Sequence, residues 1–137
     1  MVADDPGMHS SQNEQDSRFF ASFAQIPCFE PADHQEAYAL TRLAFDVSER
    51  WSVPVMLRLV TRLSHSRSRV LPEEPRAQND LKYGDARDWT LLPVNARRRF
   101  QRLIELQPEM KRYSEESPFN SLSLEPGSGS FGVIASG

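Results

Sequence analysis

Three stretches of the sequence carry residue types that do chemistry. The first is ADDPGMHSSQNEQDSR, residues 3–18, which sets three aspartates, a glutamate, two glutamines, His9 and Arg18 in turn-rich chain. Such a density of hydrogen-bonding groups at the start of a helix suits recognition of a polar ligand at a strand end. The same residues also make a solvated loop with Asn13 or Asp16 as helix cap, and composition alone favours that reading. The second stretch is TRLSHSRSR, residues 61–69, directly after an apolar run. Thr61, Arg62, Ser64 and His65 would stand at the carboxyl end of a strand, where open α/β sheets place ligands. His65 is a general base by type, without an identifiable partner. A basic loop whose arginines pair with nearby acids explains this spacing equally simply. The third is Asn95-Ala-Arg-Arg-Arg, a pattern able to hold phosphate or RNA. It lacks interleaved aromatics and sits in acidic chain, so a solvated or interdomain helix face is the better reading. The sequence contains no Gly-rich phosphate loop, Walker motif, nucleophile elbow or metal-spaced His/Cys set.

The elements that must position these residues are partly legible. From Glu14 to about Ala24 the pattern is helical, with Phe19, Phe20, Phe23 and Ala24 at helical spacing, and Pro27 stops it. Cys28 and Phe29 then suit a very short strand before Pro31. Residues 33–50 are the best-marked helix, with Asp33 as cap and Glu36 completing a capping box. Ala37, Leu40, Ala44, Val47 and Trp51 form its buried stripe. After Ser52 and Pro54, residues 55–61 read as a strand that is apolar on both faces, as a central strand of a parallel sheet is. Arg58 interrupts one face, so either that strand end is partly open or Arg58 pairs with a carboxylate. The order suggests half of a doubly wound α/β domain.

Residues 64–88 read as a long surface connection. A second helix starts at Leu92-Pro93, with Ala96, Phe100, Leu103, Ile104 and Gln107 on one stripe, backed by Arg97, Arg98, Arg99 and Arg102. Pro108 is expected to kink or restart it. The last residues, FGVIASG, look like the first strand of a further α/β domain.

The totals set bounds on these readings. A chain of 137 residues has room for one domain, and its ten prolines cluster after residue 70, against one compact body. A net charge of −3 gives no footprint for nucleic acid. The longest apolar stretch, residues 53–59, is far short of the roughly 20 residues a membrane helix needs. The acidic, polar start reads as neither signal nor transit peptide. Cys28 is the single cysteine, which excludes an internal disulfide and a cysteine-ligated zinc or iron–sulfur site within this chain. A reducing, cytoplasmic setting is the expectation.

The long and unusual run DDPGMHSSQNEQDSR, with PVMLRLVTRLSHS, LLPVNARRR, SEESPFN and FGVIASG, resembles the alpha subunit of the indolepyruvate:ferredoxin oxidoreductase family across nearly the whole chain, residues 76–90 being the loosest part. The resemblance implies part of the α/β pyrimidine-binding fold of thiamine-diphosphate enzymes, a parallel sheet with flanking helices, followed by a helical linker. It implies residues 1–71 as the latter part of the pyrimidine domain and 72–130 as a linker with a helix at about 94–113. Residues 131–137 would open a transketolase-C-terminal-like domain. The glutamate that activates the aminopyrimidine, the diphosphate-and-magnesium motif and the cysteine clusters for [4Fe-4S] centres are expected to lie outside this chain. No cofactor is expected to bind it fully, and it is expected to be inactive alone.

For the parent enzyme the resemblance implies oxidative decarboxylation of aryl pyruvates to acyl-coenzyme A, with thiamine diphosphate, Mg2+ and [4Fe-4S] clusters passing electrons to ferredoxin, and a beta subunit as partner. It puts Gln12, Asn13, Glu14 and Asp16 on the cofactor side and Arg18, Arg62, His65 and His9 on the substrate side. Arg18 and Arg62 are both open as the holder of the 2-oxoacid carboxylate. A non-catalytic interaction or regulatory module derived from the same family is the alternative.

Overall fold

The computed structural model describes the backbone of Val2 and Ala3, residues 16–81 and residues 83–121. The chain divides into two compact units, one built on Met1–Leu71 and the other on Pro72–Asn120.

The first unit is α/β. Its strands are β1 (Val2–Ala3), β2 (Cys28–Phe29) and β3 (Met56–Arg58), and its helices are α1 (Arg18–Ala24), α2 (His34–Trp51) and α3 (Thr61–His65). The sheet is parallel throughout in the order β1-β3-β2, so the last strand in sequence lies between the other two. Parallel neighbours require crossovers, which α1 and α2 provide. Val2 pairs with Leu57 and Ala3 with Arg58, while Cys28 pairs with Met56 and Phe29 with Leu57. The central position explains why residues 55–60 are apolar on both faces. The strand is nevertheless shorter than its sequence suggests. Its neighbours are two residues long, so the ladder has no partner groups beyond Arg58. Val60 stays extended and becomes the N-cap of α3, its carbonyl accepting from the Ser64 N–H at 3.0 Å. Thr61 to His65 are therefore helix rather than strand end and loop.

α2 follows its sequence signals closely. Asp33 is extended and accepts the Glu36 N–H at 2.8 Å. Glu36 reaches back to the Ala32 N–H at 2.5 Å, one residue beyond the usual reciprocal donor of a capping box. Leu40, Val47 and Trp51 are buried, each such side chain contributing about 1.5–3 kcal/mol. The helix ends where Ser52 turns left-handed at φ 55°. α1 departs from expectation. It begins at Arg18 and ends at Ala24, after which Gln25 adopts φ 56° and donates its N–H to the Ala21 and Ser22 carbonyls. Ala21 and Ser17 are its buried side, whereas Phe19, Phe20 and Phe23 are exposed, Phe23 at 90%. Helical spacing marks a shared face but cannot say what covers it. The unit's chain end is fastened to α2: the Leu71 N–H donates to Gln35 Oε1 at 2.8 Å, and Gln35 Nε2 donates to the Leu71 carbonyl at 3.2 Å.

The second unit holds a 3-10 turn at Ala86–Trp89 and the helix α4 (Pro93–Glu115), with Pro93 in its first turn. α4 runs through Pro108 without restarting. Proline removes one helical N–H, and beside it Gln107 Nε2 donates to the Leu103 carbonyl at 3.1 Å. No residue of α4 is buried among the described residues, and Phe100 and Ile104 on its apolar stripe are exposed. Its arginines are spent locally. Arg98 pairs with Asp88, and the Arg99 guanidinium lies 4.1 Å from the Trp89 ring centroid.

Candidate site at the carboxyl edge of the sheet

All three strands point the same way, so their carboxyl ends share one edge. Residues after Ala3, the segment Glu30–Asp33 and the segment Leu59–His65 leave from it. Open parallel sheets place ligands at this edge.

Arg58 closes the central strand, in register with Ala3, and its side chain is only 1% exposed. Strand alternation sets it with Met56 on the face opposite Leu57. Its Nη1 lies 2.5 Å from Oε1 of Glu30, the residue that follows β2, and Glu30 is 25% exposed. Of the two readings of Arg58, pairing with a carboxylate is the one realised.

Beside this pair stands a second one. Arg18 opens α1 and grips Asp16 through Nε at 2.9 and 3.1 Å and Nη2 at 2.6 Å. The Arg18 backbone N–H adds a bond to Asp16 Oδ1 at 3.0 Å. Ser17 makes no side-chain cap, so Asp16 satisfies this first-turn N–H instead. Capping and side-chain pairing thus coincide in one carboxylate. The arginine grip pulls the Asp16 carboxyl from 3.8 down to about 2, and the Arg58 charge acts in the same direction. Arg18 is raised by the Asp16 hydrogen bonds, with a smaller contribution from Glu30. Burial pushes the Cys28 thiol up, with Glu30 adding to it, so Cys28 is no thiolate nucleophile. Asp16, Arg18, Cys28, Glu30 and Arg58 therefore share one electrostatic neighbourhood.

A carboxyl-specific NMR titration checks the Asp16–Arg18 grip. Asp16 should titrate near 2, and in Arg18→Ala its midpoint should move back toward 3.8. The folded value is depressed, so the grip's contribution is present above 3.8 and lost as pH falls through about 2. An unshifted midpoint in Arg18→Ala would contradict the pairing.

Arg62 and His65 lie in α3, exposed and in its last turn. His9, Gln12, Asn13 and Glu14 lie outside the described residues. Of the residues singled out in the sequence, the structure thus brings Asp16 and Arg18 together. Glu30 was missed, and Arg58 was noticed only as an interruption. Its signal was a lone charge inside an otherwise apolar strand, which demands a carboxylate near in space.

The fit to thiamine diphosphate is limited among the described residues. Glu30 faces Arg58 and Asp16 is taken by Arg18, so neither carboxylate is offered to an aminopyrimidine. No group of three or more His, Cys, Asp or Glu that could hold a metal occurs among them. What this edge offers is a half-exposed arginine, Arg18, whose Nη1 takes no part in the Asp16 grip. That suits an anionic, carboxylate-bearing ligand.

No protein-family model matches the chain, and no solved structure matches it. Among the described residues no helix is long and apolar enough to cross a membrane. Curated relatives do match. The chain is 39% identical over 139 residues to indolepyruvate oxidoreductase subunit IorA of Methanothermobacter marburgensis. It is 38% identical over 141 residues to the subunit of that name from Archaeoglobus fulgidus, and 39% over 145 residues to that of Pyrococcus abyssi. Each match takes in 100% of this chain and 22% of the relative's length. Matched from end to end at this level, the chain belongs, as a segment, to the IorA family of indolepyruvate oxidoreductase subunits.

Proposed function

We propose that this chain works as a portion of an indolepyruvate oxidoreductase large subunit, with the carboxyl edge of its sheet turned toward the 2-oxoacid. The observation that carries this reading is the match of the whole chain to IorA subunits over 22% of their length. Uncovered apolar surface supports it. Phe19, Phe20 and Phe23 of α1 are exposed, and Ala44 and Phe45 of α2 with Val55 and Leu57 line an open groove of about 330 Å³. An unattached soluble unit rarely leaves such patches bare, whereas a portion of a larger subunit buries them.

In this proposal residues 1–71 are the latter part of a pyrimidine-binding domain, 72–130 a linker and 131–137 the start of the next domain. The whole enzyme is taken to act in the cytoplasm on aryl pyruvates and coenzyme A, with a beta subunit and ferredoxin as partners. Bound thiamine diphosphate, with Mg2+, would supply the decarboxylation chemistry, and [4Fe-4S] clusters elsewhere the electron path. This chain's own residues bind and orient. Arg18 presents a planar cation to the substrate carboxylate, and Asp16 holds that cation in place at the start of α1. Arg62 and His65, on α3 after the central strand, flank the same edge as secondary contacts. Gln12, Asn13 and Glu14, with His9, form the loop assigned to the cofactor and substrate.

The chain alone is expected to show no indolepyruvate-dependent reduction of a viologen dye with thiamine diphosphate, Mg2+ and coenzyme A present. Measurable turnover by these 137 residues would overturn its reading as a portion of the catalytic subunit.

A further inference from the structure

Arg58 is an expensive residue to place inside a sheet. A guanidinium has five N–H donors, and burying it is costly unless they are met. Here the side chain is 1% exposed and its ion pair is with Glu30. Its Nε and Nη1 make no aligned hydrogen bond among the described residues, the 2.5 Å approach of Nη1 to Glu30 notwithstanding. Replacing such a pair by apolar side chains of similar volume is often neutral or stabilising, so stability is a poor account of it. Its location supplies a better one. Glu30 stands on one side, and on the other Asp16 lies within reach of the Arg58 field.

Two carboxylates and two arginines are balanced at this edge before any ligand arrives. A ligand carboxylate that takes the Arg18 guanidinium upsets the balance, because Asp16 then loses the cation that held it. Leaving a carboxylate unpaired in a partly desolvated site costs binding. Arg58 is the neighbouring cation with donors to spare.

Resting on the functional reading above, we propose that Arg58 is a positioning residue: it takes over Asp16 when Arg18 turns to the carboxylate of a 2-oxoacid. Arg58 never touches the substrate. It lets Arg18 change partners without stranding Asp16, and Glu30 keeps the Arg58 guanidinium facing the edge in the meantime.

The test uses the longer subunit carrying this sequence, assembled with its partner subunit. Turnover of indolepyruvate is measured together with calorimetric binding of indole-3-propionate, a carboxylate without the keto group that cannot react. In the double variant Arg58→Met/Glu30→Leu the melting temperature should hold, while KM and the Kd for indole-3-propionate rise about ten-fold, one lost charge-assisted contact. Arg58→Lys should recover part of that loss. In an Asp16→Asn background the Arg58 substitution should add nothing, because no charge remains to hand over. A folded double variant with unchanged KM and Kd would overturn the proposal. Additive effects of Asp16→Asn and Arg58→Lys would overturn it too, even where the double variant fails to fold. Binding of indole-3-propionate by the unsubstituted enzyme without indolepyruvate turnover would instead contradict the functional reading and leave the Arg58 result to be read from Kd. Neither binding nor turnover would contradict both.

Discussion

Arg18→Ala in the longer subunit is expected to lower kcat/KM for indolepyruvate by about ten- to a hundred-fold while leaving thiamine diphosphate affinity close to unchanged. Arg18 is half-exposed at the carboxyl edge, and its planar fork already holds one carboxylate, that of Asp16, through Nε and Nη2. A 2-oxoacid presents the same group. Competition between the two acids is the reason the loss should appear in KM more than in kcat. Arg62→Ala should cost less, since Arg62 sits on the short helix α3 and not at the start of α1. If Arg18 serves only to pair with Asp16 and hold the helix start, the variant will melt earlier and keep its kinetics. Steady-state rates and melting temperatures of both variants separate these outcomes.

Trp51→Ala is expected to destabilise the first unit by about 3–5 kcal/mol, enough to unfold most of it at room temperature. Trp51 is 3% exposed at the end of α2, on one stripe with Leu40 and Val47. Small units bury a modest fraction of their surface, so one aromatic carries a large share of the total. A urea titration followed by far-ultraviolet circular dichroism would measure the change. A shift in midpoint worth less than about 1 kcal/mol would show that Trp51 is not part of the core.

How much of this was legible in sequence depended on whether the cause was local. α2 was readable because its cap and stripe are neighbours along the chain: Asp33 accepts from Glu36, and Leu40, Val47 and Trp51 recur at helical spacing. The centrality of β3 was readable from its apolar faces. Its length was not, because the pairing ends where two-residue neighbours end, and that is set by Val2–Ala3 and Cys28–Phe29, far away in sequence. β1 itself has too few residues to show a period. In the site, the Asp16–Arg18 couple lies within three residues and was singled out together. Glu30 was not, since its partner is 28 positions on and only the sheet register brings the two together. The three phenylalanines of α1 show the limit from the other side: spacing identified a face, and the described residues leave it open.

The central claim is that this sequence is a working portion of a 2-oxoacid oxidoreductase subunit. It is tested most directly by exchanging the aligned segment of the Methanothermobacter marburgensis IorA subunit for these 137 residues and assaying the assembled enzyme. Indolepyruvate-dependent reduction of a viologen dye that requires thiamine diphosphate, and that falls about ten-fold or more when the exchanged segment carries Arg18→Ala, is the expected result. A folded, assembled chimera that shows no such reduction, or whose rate ignores the Arg18 substitution, would contradict the account.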